Sequence, residues 1–408
     1  MIAEKKKQMV PQLRFSEFDG EWERKKLGEL AVVKRGAGSQ YIDYINNSKD
    51  GIRLIRIGDF LGSEAVYVKK TNEIQRFLLN PNDILIAGTG ATAGITFLIP
   101  EEFVGHAYSY NAPKITVIDS NEKFITFYLK CPIITRQQQR LFTGNAQPFL
   151  DTKSIRNFKI SIPKLQEQQK IASFLTAVDK KLQQLTTKKE KLEHYKKGVM
   201  QQLFSQQLRF KDEDGNDFPD WEEKRFKEII IDYRLGGNYQ NTLEKTDYPL
   251  IKMGNLDRGK VKLDKIEYIT SNESVDRKDK IEYGDLFFNT RNTLDLVGKV
   301  AIWRNELPVA YYNSNLMYLK FENNFFMNFR LNSYEGIKAL KRFATGTTSV
   351  AAIYTKDLLK LKLNIPSLKE QQKIAVYLSA LDAKIEIVAG QIEKTKEFKK
   401  GLLQQLFV

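Results

Sequence analysis

With 408 residues, 42% of them hydrophobic and 28% charged, the chain has material for two to three domains, and this composition excludes a disordered protein. A formal charge of +15 points to a polyanionic partner, either nucleic acid or an anionic surface. No apolar run approaches the roughly 18 residues of a membrane span. No apolar stretch follows the basic MIAEKKKQMV as it would in a secretory signal, and the single cysteine, Cys131, excludes an internal disulfide framework and fits a reducing, cytoplasmic setting.

After a basic tail at 1–10, residues 11–161 read as a mixed α/β globule. Short β-rich runs at 53–57, 84–87, 95–99 and 115–117 alternate with turn residues, and 123–141 is predicted to be a helix. Four loops mix glycine, amide, hydroxyl, aromatic and basic side chains. They carry Lys34, Arg35, Gln40 and Tyr41; then Thr89 and Thr92; then Ser109, Tyr110 and Asn111; then Asn145 and Gln147.

Residues 162–205 predict a long helix starting at Pro163, since proline at the first helical position loses no intrahelical bond. Glu167 places negative charge in its first turn. Apolar residues then recur every seven, as Ile171, Val178, Leu185, Leu192 and Val199, with a second series of Leu175, Leu182, Lys189, Lys196 and Leu203. This is a coiled-coil seam.

Residues 206–364 form a second mixed α/β globule with strands expected at 285–288 and 299–303. Its loops match those of the first in kind. They carry Arg234, Asn238 and Tyr239; then Asn289, Thr290, Arg291 and Asn292; then Tyr312 and Asn313; then Thr347 and Thr348. Residues 365–408 repeat the long helix, with Pro366 at its start and Ile374, Leu381, Val388, Thr395, Leu402 and Leu378, Ile385, Ile392, Lys399, Leu406 as its two seams.

The chain is therefore written twice. Residues 162–205 align without a gap on 365–408 at an offset of 203, with about half the positions identical. Gln12-Leu13-Arg14-Phe15 returns as Gln207-Leu208-Arg209-Phe210, and Trp22-Glu23 as Trp221-Glu222. Weaker echoes join Ile55–Gly58 to Ile251–Gly254, Asp83-Ile84-Leu85 to Asp285-Leu286-Phe287, and Tyr110-Asn111 to Tyr312-Asn313. Each helix finds a natural partner in the other copy, so an intramolecular antiparallel pair acting as a ruler is expected. Pairing between separate chains is the alternative.

Arginine can clamp guanine, and Asn or Gln can pair bidentately with adenine, so the matched loops are candidate DNA contacts. Catalytic motifs are missing. The run Gly88–Gly94 lacks the spacing and the Gly-Lys-Ser/Thr ending of a phosphate loop. His106 and His194 are far apart in sequence, and no Cys, His or carboxylate spacing suggests a metal site. Asn111-Ala112-Pro113-Lys114 lacks the second proline and the aromatic of an amino-methyltransferase motif.

The order globule–helix–globule–helix resembles the specificity subunit of Type I restriction–modification enzymes. So do the doubled IPxLxEQQKIAxxL motif at 162–175 and 365–378 and the tail KKGxxQQLF at 196–204 and 399–407. That resemblance implies two target-recognition domains, each reading half of a split, asymmetric site on double-stranded DNA, with the coiled coil setting the spacer. It implies no catalysis and no cofactor of the chain's own. Two methyltransferase subunits would bring S-adenosylmethionine, and two translocase–nuclease subunits would bring ATP and Mg²⁺. Glu167, Gln168, Gln169 and Glu370, Gln371, Gln372 are candidate docking residues for the methyltransferase, or else helix-start chemistry. The competing reading is a basic coiled-coil scaffold or another kind of nucleic-acid-binding protein.

Overall fold

The repeat written in the sequence is a repeat of topology. The computed structural model describes residues 9–46, 49, 51–142 and 147–408, and divides into two units: residues up to Thr186 with Gly390–Val408, and Thr187–Ala389. The division falls inside both long helices.

In the first unit, strands Ala31–Lys34, Lys114–Val117, Ile84–Ile86 and Thr96–Leu98 form an antiparallel sheet in that order. A second sheet is ordered Tyr44–Ile45, Tyr67–Lys69, Gly51–Ile55, Ala107–Tyr108, with its last pair parallel. The second unit repeats both orders. Asp232–Leu235, Leu316–Lys320, Leu286–Asn289 and Val300–Ile302 form the first sheet, extended by Gly259–Lys260. Asn241–Thr242, Glu267–Ile269, Pro249–Ile251 and Tyr311–Tyr312 form the second. The echoes of Ile55–Gly58 in Ile251–Gly254 and of Asp83-Ile84-Leu85 in Asp285-Leu286-Phe287 are thus equivalent strands and turns, but that of Tyr110-Asn111 in Tyr312-Asn313 is not: Ile55 pairs with Tyr108 and Ile251 with Tyr312, so Tyr312 stands where Tyr108 does and Asn313 where Ser109 does. Arg56 N–H is capped by the Asp59 carboxylate at 2.8 Å, and Lys252 N–H by the Asn255 side-chain oxygen at 3.0 Å, in the same turn of each unit.

The helix expected at 123–141 is two helices, Glu122–Leu129 and Pro132–Phe142. Proline has no N–H to continue the first helix and disfavours helical geometry in the residue before it, so the chain turns at Cys131 and restarts. Cys131 itself is buried and reduced, its thiol pushed up by burial.

The long helices span Leu165–Phe204 and Leu368–Gln405, beginning two residues beyond the expected prolines. Pro163 and Pro366 instead present carbonyls that accept from Gln168 Nε2 at 2.9 Å and Gln371 Nε2 at 3.0 Å. The predicted seams are inside: Ile171, Leu175, Leu203, Ile374, Leu378 and Leu406 are all at most 2% exposed. Within each unit the two helix segments run antiparallel. Asp179 pairs with Lys399 at 2.5 Å in the first unit, and Lys196 pairs with Asp382 in the second. The same repeat positions are used twice, with the partners exchanged. They account for lysines at seam positions, where an apolar residue would otherwise be expected.

Each helix pair is part of its unit's core. Trp22, Phe124, Tyr128, Ile171, Leu175, Leu402 and Phe407 belong to one apolar cluster, and the Tyr128 hydroxyl donates to the Val408 carbonyl at 2.7 Å. Val199, Leu203, Phe226, Phe326, Ile374 and Leu378 belong to its counterpart. Burying one such Leu or Phe side chain contributes about 1.5–3 kcal/mol, so globule and helix fold as one body in each unit.

Candidate nucleic-acid interface

Four loops are tied together in two pairs, by the same backbone device in both units. In the first unit, the segment after Lys34 lies against Ser109: Ala37 bridges Ser109, and Tyr110 N–H donates to the Ala37 carbonyl at 2.9 Å. The segment after Gly88 lies against the chain entering Leu150. Thr89 bridges Phe149, and Gly90 N–H donates to the Pro148 carbonyl at 3.0 Å. In the second unit Gly237 bridges Asn313, and Ser314 N–H donates to the Gly237 carbonyl at 2.9 Å. Ile353 N–H reaches the Thr290 carbonyl at 3.0 Å. Both first pairs depend on glycine. A Cβ at Gly36 would meet the Ser109 carbonyl oxygen at 2.3 Å, and one at Gly236 the Tyr312 carbonyl oxygen at 2.4 Å. Only glycine permits so close a backbone approach.

The first unit's loops enclose an open cleft of about 650 Å³, which brings together Gln40, Thr89, Thr92, Ser109, Tyr110 and Asn111. None of the described residues lining it is acidic. At its edge the Arg35 guanidinium lies 4.4 Å from the Tyr110 ring centre and 5.1 Å from that of Phe149, linking the two loop pairs. Tyr110, Asn111, Gln40, Tyr41, Lys34 and Gln147 are exposed, although the Tyr41 ring packs on Phe77 at 5.4 Å. Asn145 lies outside the described residues. Among the cleft residues outside the sequence candidates are Ser39, Tyr44, which is 66% exposed, and Arg56. Arg56 stands in one of the internal echoes, which was a usable signal; nothing in the sequence marked Tyr44.

The second unit differs in detail. A three-stranded ribbon, Arg291–Asn292, Ala351–Ala352 and Thr345–Gly346, places Arg291 beside the exposed Thr347 and Thr348. Asn238 is exposed as well. Several other candidates are turned inward. Asn289 is fully buried in its strand, Tyr312 is 1% exposed and Asn313 8%. Burial pushes the Tyr312 hydroxyl up to about 12, against the partial relief of Arg234. The Tyr239 hydroxyl donates to Asp279 at 2.6 Å and is therefore already used. Arg234 stacks over Tyr318 at 4.3 Å and donates to the Lys278 carbonyl at 2.6 Å. The Thr290 hydroxyl donates to the Asn315 carbonyl at 3.1 Å. These side chains brace the loops, and Asn238, Arg291, Asn292, Thr347 and Thr348 are left on or near the surface.

The proposed docking tripeptides need a correction. Glu167 is 2% exposed and is held by Arg14 through two bonds of 2.9 and 2.7 Å, with the Trp22 indole N–H at 3.3 Å. Glu370 is fully buried and held by Arg209 at 2.9 Å and the Trp221 indole N–H at 3.2 Å. Gln168 accepts from Asn121 N–H at 2.9 Å, and Gln168 and Gln371 are both buried. A carboxylate committed to a guanidinium and an indole inside the protein is not a docking surface. It fastens the segment before each globule to the foot of that unit's helix, which explains why the Gln-Leu-Arg-Phe and Trp-Glu echoes travel with it. Of the six residues only Gln169 and Gln372 are exposed.

Residues 19–194 and 219–397 each match the Type I restriction modification DNA specificity domain, together well over half the chain. The chain belongs to the specificity subunits of Type I restriction–modification systems. As such it is a DNA specificity subunit and a recognition component without catalysis. It is 25% identical to the Type I restriction enzyme MjaVIII specificity subunit of Methanocaldococcus jannaschii, over 98% of this chain and 96% of that one. It is 20% identical to the EcoKI specificity subunit of Escherichia coli K12, over 94% and 87%. The crystal structure of a Type I S subunit from M. genitalium has the same fold, with a TM-score of 0.60 at 16% identity over 98% of this chain and 99% of that one. A solved chain from a study of assembly and conformational transition of the type I R-M system superposes with a TM-score of 0.54, over 94% and 96%. A basic scaffold of another kind is thereby set aside. No group of His, Cys, Asp or Glu among the described residues could hold a metal ion, and none of their helices is long and apolar enough to cross a membrane.

Proposed function

We propose that each unit of this specificity subunit reads one half of a split, asymmetric site on double-stranded DNA, and that the two long helices set the unread spacer. The recognition domains span 11–161 and 206–364, with helical segments 162–205 and 365–408 and a basic tail at 1–10. The carrying observation is the paired-loop device: the same backbone bridges in both units present different side chains. A fixed frame with exchangeable contacts is what reading two unlike half-sites requires. In the first half-site, Arg35, Gln40, Asn111 and Gln147 supply guanine- and adenine-type contacts, while Lys34, Tyr41, Thr89, Thr92, Ser109 and Tyr110 grip backbone or bases. In the second, Arg291, Asn292, Asn238, Thr347 and Thr348 do so, on loops braced by Arg234, Tyr239, Asn289, Thr290, Tyr312 and Asn313.

Helices of 40 and 38 residues, at 1.5 Å per residue, measure about 60 Å each. Half-sites on one face of B-DNA lie about 34 Å apart, so helices of this length suffice to hold two readers at that separation. The exposed faces of the two near-equivalent helix copies, with Gln169 and Gln372 among them, offer two docking surfaces for two methyltransferase subunits. S-adenosylmethionine belongs to those subunits, and ATP and Mg²⁺ to two translocase–nuclease subunits. The assembly works in the cytoplasm.

Selection from randomised duplexes by the chain with its methyltransferase partner tests this reading. A motif of two unlike blocks separated by a fixed unread gap is expected, with each single-base change costing about 1–3 kcal/mol. One uninterrupted block would contradict it.

A further inference from the structure

The second unit contains a cavity that neither the repeat nor DNA reading explains. It lies between its long-helix segments and the helices Asn324–Asn332 and Tyr334–Lys341, with a volume of about 750 Å³. This is the size of a small-molecule site. Met200, Ile337, Ile385 and the exposed Tyr334 ring give it an apolar side.

Its charges do not balance internally. Asp382 is held by Lys196 and by Arg304, the latter at 3.4 Å, and Glu193 is held by Lys189 at 2.7 Å. Arg258, Lys197 and Lys260 also line the cavity, and no carboxylate among the described residues lies within ion-pair distance of any of them. Among the lining residues only Glu386 stands against these three, and Asp257, which acts on Arg258 from outside the cavity, is itself paired with Lys262 at 2.6 Å. Arg258 is partly buried, so its guanidinium has lost some water without gaining an acceptor. Such a group favours an anion. Asn332, also in the wall, is committed to its neighbours: its amide N–H groups reach the Val300 and Asn328 carbonyls.

The first unit differs at this wall. The position of Asn332 corresponds, at the offset of 202 between the helix caps Asn121 and Asn323, to Lys130. There burial lowers the lysine, the nearby Lys399 lowers it further and Asp179 partly restores it. A lysine thus sits where the second unit keeps a short amide. The helix wall of the cavity is duplicated, Lys196, Lys197 and Asp382 recurring as Lys399, Lys400 and Asp179, whereas this place on the facing helix differs between the units.

We propose that this cavity binds a small organic phosphate of nucleotide size. The phosphate would meet Arg258, Lys197 and Lys260, and a flat apolar body would lie against Tyr334, Ile337 and Met200. A nucleoside monophosphate has both parts in one molecule. Its occupancy would tie the second reader to the helix pair, since both form the walls.

The test is calorimetric titration of the full chain with AMP, GMP, CMP and UMP, with adenosine and orthophosphate as separate arms. At least one monophosphate is expected to bind below about 1 mM, with adenosine and orthophosphate each at least about tenfold weaker. Arg258→Ala should weaken binding at least about tenfold and Arg258→Lys by less. Tyr334→Ala should weaken it too, without moving the unfolding temperature enough to explain the loss. Orthophosphate binding as tightly as the monophosphates would mean a plain anion site and overturn the proposal. So would the absence of monophosphate binding below about 1 mM, or binding indifferent to both Arg258 variants. These outcomes leave the DNA-reading proposal untouched, because that one is judged on duplex selection.

Discussion

Arg14 and Arg209 are the residues on which each unit's anchorage turns. Each neutralises a glutamate at the foot of a helix, and each glutamate is almost fully buried. Removing one member strands the other's charge, so Glu167→Ala should cost about 3 kcal/mol, read as a lower urea midpoint for the first unit, and Glu370→Ala should do the same in the second. A loss below about 0.5 kcal/mol, the range of an ordinary surface change, would mean the foot is held some other way. On the reading face, Arg35→Ala should weaken binding by about 1–3 kcal/mol and relax preference at the first half-site only. An equal loss on every duplex, with a salt slope shallower by about one, would instead make Arg35 a phosphate contact. Residues of this kind were partly legible in the sequence. Composition and the matched loops pointed to Arg35, Gln40 and Asn111. They could not show that Asn313 is buried in the place of Ser109 while Asn111 is exposed, because burial depends on bridges such as Gly237 to Asn313, formed between residues far apart in sequence. Glu167 misled for the same reason: its partner, Arg14, is 153 positions away.

At the scale of elements, the long helices were the most legible part, since a period of seven held over 40 residues has no competing explanation. The exchanged pairs Asp179–Lys399 and Lys196–Asp382 suggest how the register is fixed. Sliding one helix by a heptad would leave both lysines without a carboxylate, Lys399 facing Ala172 or Thr186 and Lys196 facing Ala375 or Ala389. Lys399→Asp should therefore destabilise the first unit by about 1 kcal/mol, and adding Asp179→Lys should recover most of it in a double-mutant cycle. Independent, additive losses would remove the register argument. Inserting one heptad into both long helices should lengthen the spacer or abolish binding, and an unchanged spacer would refute the ruler. The break between Glu122–Leu129 and Pro132–Phe142 was missed because the apolar pattern runs on through it, while the local chemistry of Pro132 does not.

For the molecule as a whole, duplication was legible and asymmetry was not. The internal echoes give two frames of the same topology, yet the second unit's cavity depends on residues that differ between the copies, such as Asn332 where the first unit has Lys130. The charge of +15 also belongs to this scale, and binding should weaken with salt at a slope of about −0.9 per phosphate contacted. The central claim is that one chain carries two separate readers. Replacing residues 206–362 with the corresponding segment of a relative and sequencing the methylome of cells carrying the system tests it most directly. The account predicts a split motif in which one half is new and the other half and the spacer are unchanged; a change in both halves would contradict it.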